Sequence, residues 1–99
     1  MPDQIFHDLI FHYPENDGKS VTGELQAAGI KSIHVVSVVD HESGIVGWYG
    51  IENGSGRIFE CIAMDADRAR RTPALFLARK MFTAYQDWIE GGKRNWWEV

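Results

Sequence analysis

The sequence predicts one α+β domain spanning residues 1–99. Three observations predict it: an amphipathic segment near the N-terminus, three β-branched segments separated by glycine turns, and a long amphipathic segment between Pro73 and Gly91. The expected architecture is an N-terminal helix and a three-stranded antiparallel meander packed by one long amphipathic helix. A short fourth strand is possible at the C-terminus. A chain of 99 residues fits a single domain.

Near the N-terminus, apolar residues recur at the spacing of one helix face. They are Ile5, Phe6, Leu9, Ile10 and Tyr13. Asp3 fits the N-cap, and Pro14 ends the helix. Phe11 falls outside this apolar face, so we expect it to be exposed or covered by another element.

Between this helix and the strands, "ENDGKS" has the composition of a turn-rich loop. The following "TGELQAAG" predicts a short helical turn. Thr22 is its expected N-cap, and Gly29 is its expected C-terminal glycine.

From Lys31 the pattern becomes that of β-strands. The segments "SIHVVSVVDHE", "GIVGWYGIE" and "RIFECIAMD" are rich in β-branched and aromatic residues, and glycine turns separate them. This arrangement predicts two hairpins. Alternation places Ile33, Val35 and Ser37 on one face of the first strand, and Val36 and Val38 on the other. Because both faces carry apolar residues, this strand is either central or covered on both sides.

The long helix has the clearest signal. Thr72 fits its N-cap and Pro73 its first helical position, and "PALFLARKMFTAYQDWIE" runs to the glycine pair at 91–92. Its apolar arc covers about half the circumference, so we expect it to pack on the sheet and the N-terminal helix. Phe76 is the exception, because it falls in the polar arc beside Lys80.

The last residues, "RNWWEV", are extended by composition and could form the fourth strand. Strand alternation would then point Trp97 and Val99 into the core. Trp96, between Arg94 and Glu98, would face solvent. Trp96 is therefore the tryptophan expected to serve binding.

Composition narrows the classes of function. The chain is 44% hydrophobic and 24% charged, which is typical of globular proteins, and its apolar runs are too short to cross a membrane. The single cysteine, Cys61, cannot form an internal disulfide, which favours a reducing, cytoplasmic location. A formal charge of −4 makes nucleic acid an unfavourable partner and a basic partner a better one.

No cofactor or metal site is predicted. "DGKS" resembles the end of a phosphate-binding loop but lacks the earlier glycine, and the element before it is helical in pattern. His7 and His12 are five residues apart, whereas two ligands on one helix face lie three or four apart. A metal site would require His34 or His41 to converge with one of these two histidines and with a carboxylate such as Asp40.

No catalytic group is predicted either, so we expect a protein that is not an enzyme. Cys61 falls in the middle of a strand, where a cysteine is normally an inert core residue. Glu52 and Glu60 could pair as acid and base, but solvated strand carboxylates are commoner. An enzyme would require His34, Glu52 and Glu60 to meet in a cleft.

The arginine cluster, Arg68, Arg70 and Arg71, precedes the long helix. A helix N-terminus favours anions, so the cluster could hold a phosphate or a carboxylate. Asp65 and Asp67 partly offset its charge. The alternative is a solvated segment with local Asp–Arg pairs, and we favour that alternative.

The favoured hypothesis is a small acidic interaction module that binds a protein partner or a second copy of itself. An inhibitor or decoy that covers a basic, nucleic-acid-handling surface fits this character, as do phage- or plasmid-encoded regulators. The alternative is binding of nucleic acid or another anion through the arginine cluster. The candidate binding residues are Trp96, Phe76, Phe11, Arg68, Arg70 and Arg71.

Overall fold

The computed structural model describes residues 18–98 and confirms the α+β class. Its elements are α1 (Gly18–Ala27), β1 (Ile33–Asp40), β2 (Ile45–Glu52), β3 (Ile58–Asp65), α2 (Ala66–Arg71), α3 (Ala74–Glu90) and a 3₁₀ turn (Trp96–Glu98). The predicted N-terminal helix lies outside the described residues. Across residues 18–98, no helix has the length and apolar character needed to cross a membrane.

The three strands form an antiparallel meander in the order β1-β2-β3, as predicted. Within residues 18–98, β1 is an edge strand of this sheet and not a central one. Its register pairs Ser37 with Trp48, and Trp48 pairs in turn with Ile62 of β3. A bulge follows Trp48, so that Tyr49 pairs with Glu60 and the ladder passes over Cys61. The bulge changes the alternation along β3, which places both Phe59 and Ile62 against the core.

The helices pack on one face of the sheet and build the core there. The predicted inward face of β1 is confirmed, since Ile33, Val35 and Ser37 are all buried. Val36 and Val38, on the opposite face, are buried as well. β1 is thus covered on both sides. The core cluster consists of Val21, Leu25, Ile33, Val35, Val46, Trp48, Phe59, Met64, Ala69, Leu77, Ala78, Met81 and Trp88.

Helix α1 differs from the predicted helical turn. It already includes Gly18–Ser20, which the sequence assigned to a loop, and Thr22 lies inside it instead of at its N-cap. The Thr22 hydroxyl accepts a hydrogen bond of 2.7 Å from the backbone N–H of Val35 in β1. The Thr22 hydroxyl therefore satisfies a backbone N–H of β1 and not one of the N–H groups at the start of its own helix. Gly29 ends the helix as predicted, with a φ of 94°.

Replacing Thr22 with Val should remove this acceptor while keeping the shape of the side chain. The Val35 N–H would then be left without its partner, which typically lowers the free energy of unfolding by about 1–3 kcal/mol. Urea denaturation measures the change. Thr83→Val is the matched control, because the Thr83 hydroxyl bonds only within its own exposed helix turn, to Arg79. Equal effects of the two substitutions would contradict the role assigned to Thr22.

The junction before α3 is also shifted from the prediction. The arginine cluster is itself helical, with Asp65 as N-cap accepting a hydrogen bond of 2.9 Å from the Arg68 N–H. Thr72 is consequently the C-cap of α2, and its hydroxyl donates to the Arg68 carbonyl at 2.8 Å. Pro73 takes the N-cap position of α3. The predicted roles of Thr72 and Pro73 are both displaced by one position for this reason.

Candidate protein-interaction surfaces

After α3 the chain reverses direction. Gly91 ends the helix, and Gly92 and Lys93 both adopt the left-handed region, with φ of 92° and 57°. The indole N–H of Trp88 donates a hydrogen bond to the backbone carbonyl of Arg94. The C-terminal segment is therefore folded back over the last turn of its own helix and directed toward β3.

The predicted fourth strand is wrong. Residues Trp96–Glu98 form a 3₁₀ turn, and within residues 18–98 the sheet has three strands. The Asn95 side chain accepts a hydrogen bond of 3.0 Å from the Ile58 N–H at the start of β3. The Asn95 N–H donates to the Glu98 carboxylate at 3.2 Å. One side chain thus satisfies the edge donor of β3, and the backbone of Asn95 bonds locally instead of extending along the strand.

The predicted division between the tryptophans is also wrong, because it depended on strand alternation. Trp96 and Trp97 are both half-buried. The Trp96 ring packs 5.9 Å from the Tyr49 ring, and Trp97 packs edge-on against Trp96 at 6.0 Å. Val99 lies outside the described residues. Trp96 joins the C-terminal turn to the sheet while keeping part of its ring accessible.

An ion pair fixes this segment to the end of β2. The Lys93 Nζ lies 2.9 Å from a Glu52 carboxylate oxygen, and Ser55 donates to the other oxygen at 2.7 Å. The hydrogen bond from Lys93 is the main reason why the pKa of Glu52 is lowered from 4.5. The same hydrogen bond raises the pKa of Lys93 from 10.5.

Lys93→Met should lower the melting temperature in a pH-dependent way. A lowered Glu52 pKa stabilises the fold above about pH 4.5, and this contribution is lost as pH falls through the folded-state value. A raised Lys93 pKa stabilises it below about pH 10.5, and this contribution is lost as pH rises beyond. Thermal melts should therefore separate wild type from variant between these limits and converge at acidic pH. The exposed Lys31→Met is the control, and a pH-independent difference would contradict the assignment.

The folded-back segment encloses a cleft between β3 and α3, with a volume of about 500 Å³. We call it the C-terminal cleft. It is lined by Phe59, Glu60, Cys61, Ala84, Asp87, Trp88, Arg94 and Trp96. Its charged groups are two carboxylates and one guanidinium, so its lining is net negative. Aromatic faces and carboxylates together suit a cationic group.

One wall of the cleft is a stack of aromatic rings. Trp88 stacks on Phe59 with ring centroids 4.7 Å apart, and Tyr85 lies 5.8 Å from Phe59 on the same stack. Trp88 is buried, whereas Trp96 is half-exposed. The stack gives the cleft a fixed wall, and Trp96 is the ring that a ligand could contact.

Helix α3 exposes a second surface on its other flank. Phe76 is 42% exposed and has the Lys80 Nζ 5.5 Å above its ring, in agreement with its place in the polar arc. Leu75, Phe82 and Ile89 are 50%, 46% and 40% exposed. The sequence placed these three in the apolar arc expected to pack on the sheet and the N-terminal helix. The sheet and helices of residues 18–98 leave them exposed, and the predicted N-terminal helix lies outside the described residues. We call these three side chains the apolar stripe.

The arginine cluster forms the last turn of α2, which has six residues. There its positive charges complement the negative end of that helix's own dipole. Arg70 pairs with Asp67 at 3.3 Å, with both side chains well exposed. The C-terminal cleft, as residues 18–98 define it, is lined without any of the three arginines. Anion binding by the cluster stays a prediction.

The groups considered for catalysis each have a different partner in the described chain. The His34 Nδ1 hydrogen-bonds to Asn53 at 3.1 Å, and Glu52 pairs with Lys93. Glu60 lies opposite Tyr49 in the sheet. Cys61 is half-buried against the core, and burial raises the pKa of its thiol to about 11. The thiol is therefore protonated at neutral pH.

Phe11, the remaining candidate binding residue, lies outside the described residues. Sequence reasoning named Trp96 for binding, considered Glu60 only for catalysis and missed Asp87. Both carboxylates line the same cleft as Trp96. Glu60 lies on β3, 36 residues before Trp96, whereas Asp87 lies on α3, nine residues before it. The chain reversal at Gly92 brings Trp96 into one cleft with both. No local pattern signals such an arrangement.

The chain matches no family model, no curated protein and no solved structure. Function is therefore inferred from the geometry of the surfaces described above.

Proposed function

We propose that this protein is a non-enzymatic interaction module that binds a basic protein partner through the C-terminal cleft. The observation that carries the proposal is the combination of Trp96 with Glu60 and Asp87 in one cleft of about 500 Å³. A lysine or arginine side chain of the partner would enter between the carboxylates and pack its charge on the Trp96 ring.

The charge of the whole chain supports the same partner. A formal charge of −4 attracts basic surfaces over distance and repels nucleic acid. Basic protein surfaces commonly handle nucleic acid, because phosphate binding requires lysine and arginine. The protein would then act as an inhibitor or decoy that covers such a surface, in the manner of a small regulator.

A labelled arginine- and lysine-rich peptide is a suitable probe. We expect fluorescence anisotropy to show binding that weakens as salt rises, because the attraction is electrostatic. Trp96→Ala should weaken binding by several-fold, and Glu60→Gln with Asp87→Asn by roughly tenfold or more, since a desolvated charge-assisted hydrogen bond contributes about 1.5–3 kcal/mol.

The matched control is Glu42→Gln with Asp67→Asn, which changes the net charge equally at exposed sites outside the cleft. Equal weakening by the two double variants would show that only net charge matters and would refute the cleft. Circular dichroism verifies that each variant is folded. A short DNA duplex tests the inhibitor role, because this protein should displace the DNA from the peptide.

The same duplex, used alone, tests the alternative function. Retention of the duplex by wild type that is lost in the Arg68→Ala, Arg70→Ala, Arg71→Ala triple variant would favour anion binding by the arginine cluster. Measurements at two salt concentrations identify phosphate contacts, since these weaken steeply with salt. The proposal predicts that the duplex alone is not retained.

A further inference from the structure

We infer that the apolar stripe on α3 is the interface of a homodimer, in which the α3 helices of two copies pack antiparallel about Phe82. This inference concerns a surface separate from the C-terminal cleft and does not depend on the proposed function. It follows from the spacing of the exposed side chains, the groove beside them and the charges that flank them.

The stripe is nearly straight. Leu75, Phe82 and Ile89 are spaced by seven residues, and seven residues of α-helix fall only about 20° short of two full turns. The stripe extends over roughly 21 Å at 1.5 Å per residue. Three large apolar side chains exposed in one row at seven-residue spacing supply one of the two apolar positions per heptad of a helix–helix seam.

A groove runs beside the stripe, between α3 and α1, with a volume of about 430 Å³. Its lining is mainly apolar, with one acid and one base. The lining residues are Glu24, Leu25, Ala28, Leu75, Ala78, Arg79, Phe82 and Thr83. The small side chains of Ala28 and Ala78 leave room that large side chains from a facing helix could fill. The stripe therefore offers side chains that protrude toward a facing helix, and the groove beside it can receive side chains from that helix.

The charges that flank the apolar stripe favour a second copy of this chain as its partner. On a helical wheel Arg79 and Glu90 lie on the same flank of the stripe, Arg79 in the N-terminal half of α3 and Glu90 at its C-terminal end. A two-fold axis at Phe82 brings Arg79 of one copy toward Gln86 and Glu90 of the other, twice in the dimer. In a parallel arrangement Arg79 of one copy and Glu90 of the other would stay eleven residues apart along the helix axis, too far to pair. Antiparallel pairing also places the positive end of each helix dipole beside the negative end of the other, which is favourable. The surface is complementary to itself.

This interface leaves the C-terminal cleft open. On a helical wheel, Ala84, Asp87 and Trp88 point about 120–220° away from Leu75, whereas Phe82 and Ile89 lie within about 40° of it. The cleft and the stripe thus occupy opposite flanks of α3. Each copy in the dimer would retain an accessible Trp96.

The contact is small beside a standard interface, which uses about 20–30 residues a side. We therefore expect a weak dimer with a dissociation constant on the order of micromolar to hundreds of micromolar. Sedimentation should be run at loading concentrations from about 10 µM to about 1 mM. The weight-average mass should rise with concentration from the chain mass of 11.3 kDa toward twice that value.

Phe82→Glu should keep the protein monomeric throughout this range. Phe76→Glu is the matched control, since Phe76 is equally an exposed phenylalanine of α3 but lies outside the stripe. It should self-associate like wild type. A wild-type protein that is monomeric at 1 mM, or a Phe82→Glu variant that dimerises normally, would overturn the inference. Circular dichroism excludes unfolding as the cause of either result.

A charge exchange tests the antiparallel arrangement itself. Arg79→Glu alone and Glu90→Arg alone should each weaken self-association by several-fold, because each places like charges across the interface. An equimolar mixture of the two variants should associate at least as well as wild type, since both contacts become attractive in the mixed dimer. A mixture that associates no better than the separate variants would refute the antiparallel dimer.

Discussion

Trp48→Ala is expected to lower the free energy of unfolding by about 3–5 kcal/mol, the usual range for truncating a buried aromatic residue. Trp48 is 1% exposed and lies on the central strand within the core cluster. Native domains are stable by only roughly 5–15 kcal/mol, and small ones tend toward the lower end. Urea denaturation at 25 °C should show a large loss of stability or a chain that is unfolded in buffer.

Trp48→Phe is the matched control. Among the described residues, the indole N–H of Trp48 is buried without a hydrogen-bond partner. Phenylalanine fills most of the same space and removes this donor, whose burial costs about 1–3 kcal/mol. Trp48→Phe should therefore be much less destabilising than Trp48→Ala. Comparable losses for the two variants would show that the indole N–H has a partner and that its full shape is required.

Gly50→Ala is expected to destabilise the fold by about 1–3 kcal/mol, the range for overpacking a core. The Phe59 ring lies directly over Gly50, so that a Cβ added there would overlap it. Phe59 is confined in turn by its stack with Trp88. The ring cannot move without disturbing the cleft wall, so the binding of the basic peptide should weaken as well.

The same substitution at Gly23 should have the opposite sign. Gly23 lies inside α1, where an added Cβ would meet no described atom within 4 Å. Alanine favours a helix interior over glycine by about 1 kcal/mol, so Gly23→Ala should raise the melting temperature. Shortening Phe59 to Leu in the Gly50→Ala background should restore part of the lost stability. An unchanged double variant would contradict the steric explanation.

The sheet was predictable because its signals are local. Each strand is a β-branched run, and the turns at 41–44 and 53–56 carry glycines that adopt positive φ, at Gly44, Gly54 and Gly56. Neighbouring strands joined by short turns have one simple arrangement, the meander. The predicted helix boundaries were wrong where a tertiary contact replaced the expected local one. Thr22 is an example, since its hydroxyl bonds to β1 and not to its own helix.

The candidate cleft was not predictable in this way. Trp96 lines one cleft with Glu60 and Asp87 because the chain reverses at Gly92 and Lys93, and glycine allows many directions after a helix. The composition of residues 94–99 favours a strand. It does not indicate that the Asn95 side chain would accept a hydrogen bond from the Ile58 N–H. The cleft therefore depends on the path that the chain takes after α3, which places the C-terminal turn beside β3.

The apolar stripe shows a different limit of pattern reasoning. An amphipathic helix reveals which residues are apolar but not how wide a face its neighbours cover. The sheet and α1 bury Leu77, Ala78 and Met81 and leave Phe82 and Leu75 exposed. The seven-residue spacing was present in the sequence, but a helix packed on a wider sheet would have buried the same residues.

The two outer strands each have a donor already satisfied by a side chain, Thr22 at β1 and Asn95 at β3. A peptide that binds by adding a strand needs such donors and acceptors to be free along an edge. At these positions an incoming strand would have to displace an existing bond first. The same two bonds oppose the edge-to-edge stacking that begins cross-β polymerisation. Within residues 18–98, these two edges therefore favour recognition of partners by side chains over addition of a strand.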